Sequence, residues 1–435
     1  MWTSPQIPVI NETPEGVQRS TSEDCLFLNI YVPDNVAAGA SNLPVMFWIH
    51  GGANASGSAS DYDPGRLVKE QGVIVVSTNY RVGVLGFLSH PAIDKEGHPA
   101  ANYGLLDQQV SLAWVQNNIQ SFGGDPNNVT VFGASSGGLN ILNHLIARSS
   151  SGLFQKAIVQ SGAYQPFTPT LGVSQTRGTS FAERLGCTDQ STTCLRGKAL
   201  ADVLASQGKT NTASSAFNQS TIDGTTIPQA QRMALLEGKF QKMPVMQGVT
   251  RYEGRAIPSQ SPDSPPSQYE VVARAYATAA SKSAEDVIAV YPLASFPTPF
   301  EAASAIVTDA AFNCPALQSD LAMASRTPVY AYEFDEATDE TYASGHYADV
   351  EYLFDVSWSK KAETDVGKSI RQIFGQFARS GDPNVGGSKE WQSLTAQDRY
   401  IRLIGPKSQR QTDYETAHHC NFWGATSGIP VDSRF

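Results

Sequence analysis

The stretch Val131-Phe132-Gly133-Ala134-Ser135-Ser136-Gly137-Gly138 decides the fold. An apolar β run, Val129-Thr130-Val131-Phe132, ends there in a G-x-S-x-G turn, and Leu139 to Ala147 can form a helix whose N-terminus faces the serine. A sharp strand-to-helix reversal of this kind holds a serine in a strained conformation with its hydroxyl exposed, and glycines on both sides keep the turn free of clashes. The pattern by itself is weak, since a chain of this length and composition produces it by chance roughly 0.3 times. Its setting carries the inference: a β-branched, aromatic run before it suits a buried parallel strand. Ser135 is the candidate nucleophile, against the plain reading of a Ser/Gly turn.

Upstream, Pro44-Val45-Met46-Phe47-Trp48-Ile49 reads as a second buried strand that runs into His50-Gly51-Gly52-Ala53. Acyl transfer needs preorganised N–H donors for the tetrahedral oxyanion, and glycines let the backbone approach that oxygen. The candidate donors are the amides of Gly52, Ala53 and Ser136. Two glycines after a strand also suit an ordinary turn, so the loop gains its meaning from the elbow.

The chain has 435 residues, 41% hydrophobic and 17% charged, with 25 prolines and a formal net charge of -10. This composition describes a globular, loop-rich protein with ample core, without a run of about 18 apolar residues that would suggest a membrane span. The negative balance argues against nucleic acid and anionic membranes as partners. The Ser/Pro-rich stretch from Pro258 to Gln268 reads as a loop. The first twenty residues hold no apolar signal-peptide core. Of five cysteines, Cys187 and Cys194 are close enough to clip a short loop, Cys314 and Cys420 could join distant segments, and Cys25 is the odd one. Such closures would stabilise by roughly 2–3 and roughly 5 kcal/mol in the chain-entropy model. The alternative is five unrelated thiols in a cytosolic protein. Sequons at Asn11, Asn54, Asn128 and Asn218 fit secretion, although Asn54, beside the oxyanion loop, is a poor place for a glycan.

Further motifs resemble the type-B carboxylesterases, a family that includes cholinesterases and fungal lipases. Ser22-Glu23-Asp24-Cys25-Leu26-Phe27-Leu28-Asn29-Ile30-Tyr31-Val32-Pro33 is similar to the family's second signature. It is followed in order by Asn79-Tyr80-Arg81-Val82-Gly83, Gly86-Phe87-Leu88, Asn102-Tyr103-Gly104-Leu105-Leu106-Asp107-Gln108, Trp114-Val115, Asn118-Ile119 and Phe122-Gly123-Gly124-Asp125-Pro126. The resemblance extends from about residue 20 to Trp423. It implies an α/β-hydrolase fold: a central, mostly parallel, twisted sheet flanked by helices, with helical cap insertions, read as one domain over residues 1–435.

The resemblance supplies the rest of the catalytic set. In Gly248-Val249-Thr250-Arg251-Tyr252-Glu253-Gly254 the Glu-Gly pair matches the family's acid turn, and in Gly345-His346-Tyr347-Ala348-Asp349 the histidine matches the base. The order Ser135, Glu253, His346 is the α/β-hydrolase order. Ser161, in Gln160-Ser161-Gly162, resembles a second serine that supports the histidine, with a polar strand end as the plain alternative. Arg81 and Asp107 resemble a structural ion pair.

Two departures from the family pattern stand out. The residues flanking the nucleophile are Ala134 and Ser136, where the family usually has glutamate and alanine. Loss of that negative charge argues against cationic esters such as choline esters. Members also carry a longer segment before the Ser-Glu-Asp-Cys motif, with edge strands and the cysteine that pairs at the position of Cys25. That segment is read as missing, and with it the loop that the partner cysteine would anchor at the mouth of the site, which would widen the mouth and favour bulky apolar esters.

The expected function is ester hydrolysis through an acyl-enzyme. The substrate is expected to be a small-molecule ester, neutral and apolar, the cofactor none and the metal none, in a secreted or endomembrane-lumen protein. Acyl transfer or cyclisation on the same triad is one alternative. A non-catalytic binding protein is another, but such relatives commonly lack a triad member and this chain keeps all three.

Overall fold

A computed structural model describes residues 23–34, 36, 42–164, 168–207, 217–256, 262–336, 343–411 and 413–424. The sequon at Asn11 and the first part of the Ser-Glu-Asp-Cys motif lie outside them. The described strands form one nine-stranded sheet: β1 (Leu28–Tyr31), β2 (Leu43–Ile49), β3 (Ile74–Thr78), β4 (Gly124–Ala134), β5 (Lys156–Gln160), β6 (Val245–Thr250), β7 (Val329–Phe334), β8 (Ile401–Ile404) and β9 (Gln409–Gln411). Their order is β1-β3-β2-β4-β5-β6-β7-β8-β9. β1 and β9 run antiparallel to their neighbours β3 and β8, and all other pairings are parallel.

The apolar runs seen in the sequence become central strands because both faces of the sheet are covered. Along β2, Val45, Phe47 and Ile49 join one core with Val129 and Val131 of β4, while Met46 and Trp48 join the opposite core with Phe132. The first face is closed by helices Tyr103–Asn118 and Ser136–Ile146 through Leu112, Val115, Ile141 and Leu145. Helix Asp365–Ser380 closes the second through Ile370, Phe374 and Phe377. Arg81, just beyond β3, grips Asp107 on the first of these helices through two side-chain bonds of 2.8 and 2.7 Å, the ion pair expected from the resemblance.

Helical insertions follow β5 and β6. Leu171–Arg184, Thr192–Arg196 and Leu200–Gln207 build a small separate core with Phe181, Leu185, Leu195 and Val203, clipped by the Cys187–Cys194 disulfide. A second group lies between β6 and β7, where helix Pro266–Ala279 corrects the sequence reading: of the stretch read as a loop, residues 258–261 lie outside the described residues and Pro266 to Gln268 open the helix. Proline tolerates the first helical turn, where its missing N–H has no partner in any case. The Cys314–Cys420 disulfide ties helix Cys314–Ala324 to the C-terminal helix Cys420–Trp423. Cys25 lies outside both bridges and is buried beside Asn79, whose amide donates to its carbonyl at 3.0 Å. Among the described residues, no helix is long and apolar enough to cross a membrane.

Next to that C-terminal bridge sits a buried charge cluster. His418 reaches Asp309 through Nδ1 and Glu333, on β7, through Nε2, both at 2.6 Å. Burial disfavours the imidazolium, but the two carboxylates outweigh burial and raise its pKa to about 10. A pKa raised on folding adds stability that is complete below the unfolded value of about 6.5 and is lost as the pH climbs through the folded one. The protein is therefore expected to lose stability between about pH 6.5 and 10 by a margin absent from His418→Gln, measured by urea midpoints across that range. At pH 7 the variant should be less stable by about 3–5 kcal/mol, because two buried carboxylates lose their cation. Equal midpoints would show that the cluster does not hold the C-terminal segment.

Candidate active site

Ser135 sits between β4 and helix Ser136–Ile146, with φ 54° and ψ -124°. The helix starts one turn earlier than the apolar pattern suggested, directly after the serine. The backbone reversal is held at both ends: the Ser135 amide donates to the Gln160 carbonyl at 2.8 Å, and its own carbonyl accepts from Leu139 at 2.9 Å. The glycines of the motif are required by packing on the end of β2. A Cβ on Gly133 would lie 2.5 Å from the Ile49 carbonyl oxygen, and one on Gly137 would lie 2.0 Å from the same atom.

The structure brings the three predicted catalytic side chains together from β4, from the turn after β6 and from the loop before helix Ala348–Leu353. His346 Nε2 is 2.9 Å from Ser135 Oγ, and Nδ1 is 2.5 Å from Glu253 Oε2. Glu253 is fully buried, whereas the imidazole keeps 15% of its side-chain surface exposed, so solvent reaches the His346 ring but not the Glu253 carboxylate. Three donors converge on the Glu253 carboxylate: His346, the Thr250 amide at 2.8 Å and the Ser161 hydroxyl at 2.5 Å. Ser161 lies beside this pair, as the resemblance implied, and its hydroxyl reaches His346 only through the Glu253 carboxylate.

The loop Gly51-Gly52-Ala53-Asn54 lies beside the elbow. Among the described residues, the N–H groups of Gly52, Ala53 and Ser136 donate to no protein acceptor. Asn54 is fully buried, exchanges amide hydrogen bonds with Asn140 and accepts at its carbonyl from Gly83 at 2.6 Å, which closes that sequon to a glycan. Left-handed backbone at residues other than glycine concentrates here, at Ala53, Asn54, Ser135, Ser161, Ser344 and Tyr347. Each such position costs about 1–3 kcal/mol and persists only where its surroundings fix it.

Several neighbours were not visible in the sequence. The Phe312 ring lies 4.9 Å from the His346 ring and 5.4 Å from Tyr164, forming an aromatic wall. Phe312 belongs to a π-helical stretch, Thr308–Asn313, whose Thr308 hydroxyl accepts from the Gly254 amide at 2.9 Å. Asp349, three residues beyond His346, accepts from Gln160 and Tyr332 at 2.9 Å each. Burial pushes its carboxyl up to about 6, against the pull of those two donors. Among the described residues, no group of three or more His, Cys, Asp or Glu side chains is arranged to hold a metal ion.

Comparison with known proteins places this geometry in context. The model of the carboxylesterase family matches residues 3–423. The para-nitrobenzyl esterase of Bacillus subtilis (strain 168) is 32% identical over 91% of this chain and 82% of its own. The acetylcholinesterase of Bungarus fasciatus is 32% identical over 93% of this chain and 72% of its own. The solved structure of a PNB esterase superposes with a TM-score of 0.80 at 30% identity, covering 94% of this chain and 86% of that one.

The elbow geometry makes a stability prediction. Gly137→Ala sets a Cβ against a backbone oxygen that cannot rotate away, so a loss of about 3 kcal/mol or more is expected in urea unfolding. Gly172→Ala, in a helix with open space around it, should be neutral or stabilising by up to about 1 kcal/mol. A Gly137 variant as stable as the wild type would contradict the close approach to Ile49.

Proposed function

This chain belongs to the carboxylesterase family and is a carboxylic ester hydrolase, and we propose that it cleaves its ester through an acyl-enzyme on Ser135, with His346 as general base and acid and Glu253 as the orienting acid. The reading rests on the unbroken hydrogen-bond chain from Ser135 through His346 to Glu253, at 2.9 and 2.5 Å. Ser135 Oγ attacks the ester carbonyl carbon while its proton passes to His346 Nε2. The amides of Gly52, Ala53 and Ser136 receive the oxyanion, since they have no other protein acceptor among the described residues. As the tetrahedral adduct collapses, the C–O bond to the alcohol breaks and His346 returns the proton to the leaving oxygen. Water then repeats the sequence on the acyl-enzyme. Glu253 accepts a hydrogen bond from Nδ1–H, which fixes the tautomer that leaves Nε2 basic, and it stabilises the imidazolium.

The substrate is a neutral, apolar ester. Ala134 places no charge before the nucleophile, and Phe312 and Tyr164 line the base with aromatic surface. Two disulfides suit an oxidising compartment, so the protein works in the secretory lumen or outside the cell.

Ser135→Ala and His346→Ala are each expected to lower kcat for a nitrophenyl ester by about 10⁴–10⁶, because the triad acts as a unit. Wild-type turnover by purified Ser135→Ala would end the assignment. Neutral butyrate and longer esters should exceed acetylcholine in kcat/KM by roughly tenfold or more, the scale of one missing charge interaction. The reverse preference would mean that another group supplies the negative charge.

A further inference from the structure

Tyr347, the residue after the base, occupies the left-handed region at φ 81° and ψ 1°. A bulky aromatic residue rarely adopts that conformation, so its side chain must gain something there. The Tyr347 hydroxyl accepts from the Gly51 N–H at 3.2 Å and lies 2.6 Å from the Tyr62 hydroxyl. Tyr62 is itself wedged in the core, with ring centroids 5.2 Å from Trp48 and 5.5 Å from Phe354. The fit leaves no slack at Gly51, where a Cβ would lie 2.8 Å from both Tyr347 Cε2 and the Ala134 carbonyl oxygen.

The other side of Gly51 is held as well. His50 Nδ1 is 2.8 Å from the Gly51 carbonyl, the His50 ring stacks on Tyr80 at 4.4 Å, and the Tyr80 hydroxyl donates to the His50 carbonyl at 2.7 Å. Burial lowers the His50 pKa to about 4, against the pull of the Gly51 carbonyl. At neutral pH the ring therefore carries one proton, on the nitrogen that faces that carbonyl.

We propose that Tyr347 is a positioning residue: its strained backbone aims a phenol that fastens the Gly51 amide, and so the donors at Gly52 and Ala53, to the loop that carries the base. The inference rests on the reading of Ser135 as nucleophile and of those amides as the oxyanion site. One hydroxyl then sets two things together, the seat of the oxyanion and the loop of the imidazole. Loosening it should weaken the stabilisation of the tetrahedral adduct and leave ground-state binding of the ester nearly untouched.

The test uses the full chain with Tyr347→Phe, which keeps the ring and removes the hydroxyl, and Tyr62→Phe, which leaves Tyr347 in place and removes its anchor. Three quantities are compared with the wild type: kcat and KM for a neutral nitrophenyl ester, inhibition by an alkyl trifluoromethyl ketone, and melting temperature. The ketone adds to the serine oxygen and puts its own oxygen, as an anion, where the substrate's would form. For Tyr347→Phe the expected result is a kcat about tenfold lower, a KM within twofold, ketone binding weakened by the same tenfold, and little change in melting. Tyr62→Phe should give the same pattern at a smaller size. Wild-type kcat and ketone affinity in both variants, or losses that appear only together with a lowered melting temperature, would overturn the role. A ketone that fails to inhibit the wild type, with Ser135→Ala still active, would instead overturn the reading of the nucleophile beneath it.

Discussion

One atom, the carbonyl oxygen of Ile49, sets the geometry around which the site is built. It ends β2, so the chain beyond it is the His50-Gly51-Gly52-Ala53 loop, and it also lies against Gly133 and Gly137 on either side of Ser135. Nothing larger than glycine fits at those two positions, and because nothing larger is there, the elbow and the loop sit at backbone contact distance. Parallel pairing of β2 with β4, in register from Val45↔Val129 to Ile49↔Gly133, brings the two segments to that point. The proposed nucleophile and the candidate oxyanion donors are thus related by sheet register and not by flexible loops, which is the kind of support a preorganised site needs.

Glu253 and His346 arrive from farther along the chain and are fixed by polar contacts in place of sheet register. Glu253 is enclosed by the Thr250 amide, Ser161 and His346. Behind it, the π-helical stretch Thr308–Asn313 performs three tasks within six residues. Thr308 caps the Gly254 amide, Phe312 packs on His346, and Asp309 enters the buried cluster with His418 and Glu333. An inserted residue in a helix, which widens the turn, is a common way to crowd such roles into one segment. The His418 cluster and the Cys314–Cys420 bridge then anchor the C-terminal segment against β7, so stability at this end of the molecule supports the geometry around Glu253.

How much of this was legible in the sequence follows from the range over which each feature is determined. β2, β4 and the elbow are local patterns, an apolar run and a glycine-flanked serine, and they were read correctly from neighbouring residues alone. Glu253 and His346 have no local signal strong enough to choose them, and only their resemblance to family motifs brought them forward. Features set by distant partners were invisible. His418 owes its charge to residues 109 and 85 positions away, and its sequence setting, beside His419 and Cys420, says nothing of either. Tyr347 reads as an ordinary aromatic residue, and its left-handed backbone appears only when Gly51, 296 positions earlier, is seen beside it. The place of Ser161 near these residues follows from the resemblance, but its direct bond to Glu253 depends on a rotamer that no sequence pattern specifies. The Ser/Pro-rich stretch misled at its end, because a proline that breaks a helix interior also suits a helix start.

The central claim is that these residues converge to make Ser135, among all the serines of this chain, the nucleophile. The most direct measurement is covalent capture: the wild-type protein is treated with a fluorophosphonate, digested, and the adduct assigned by peptide mass mapping. The account predicts one phosphonate per chain, on the serine at position 135, with no adduct on Ser136 or Ser161 and no labelling after unfolding in urea. An adduct on another serine, or an active protein that takes up no label, would contradict it.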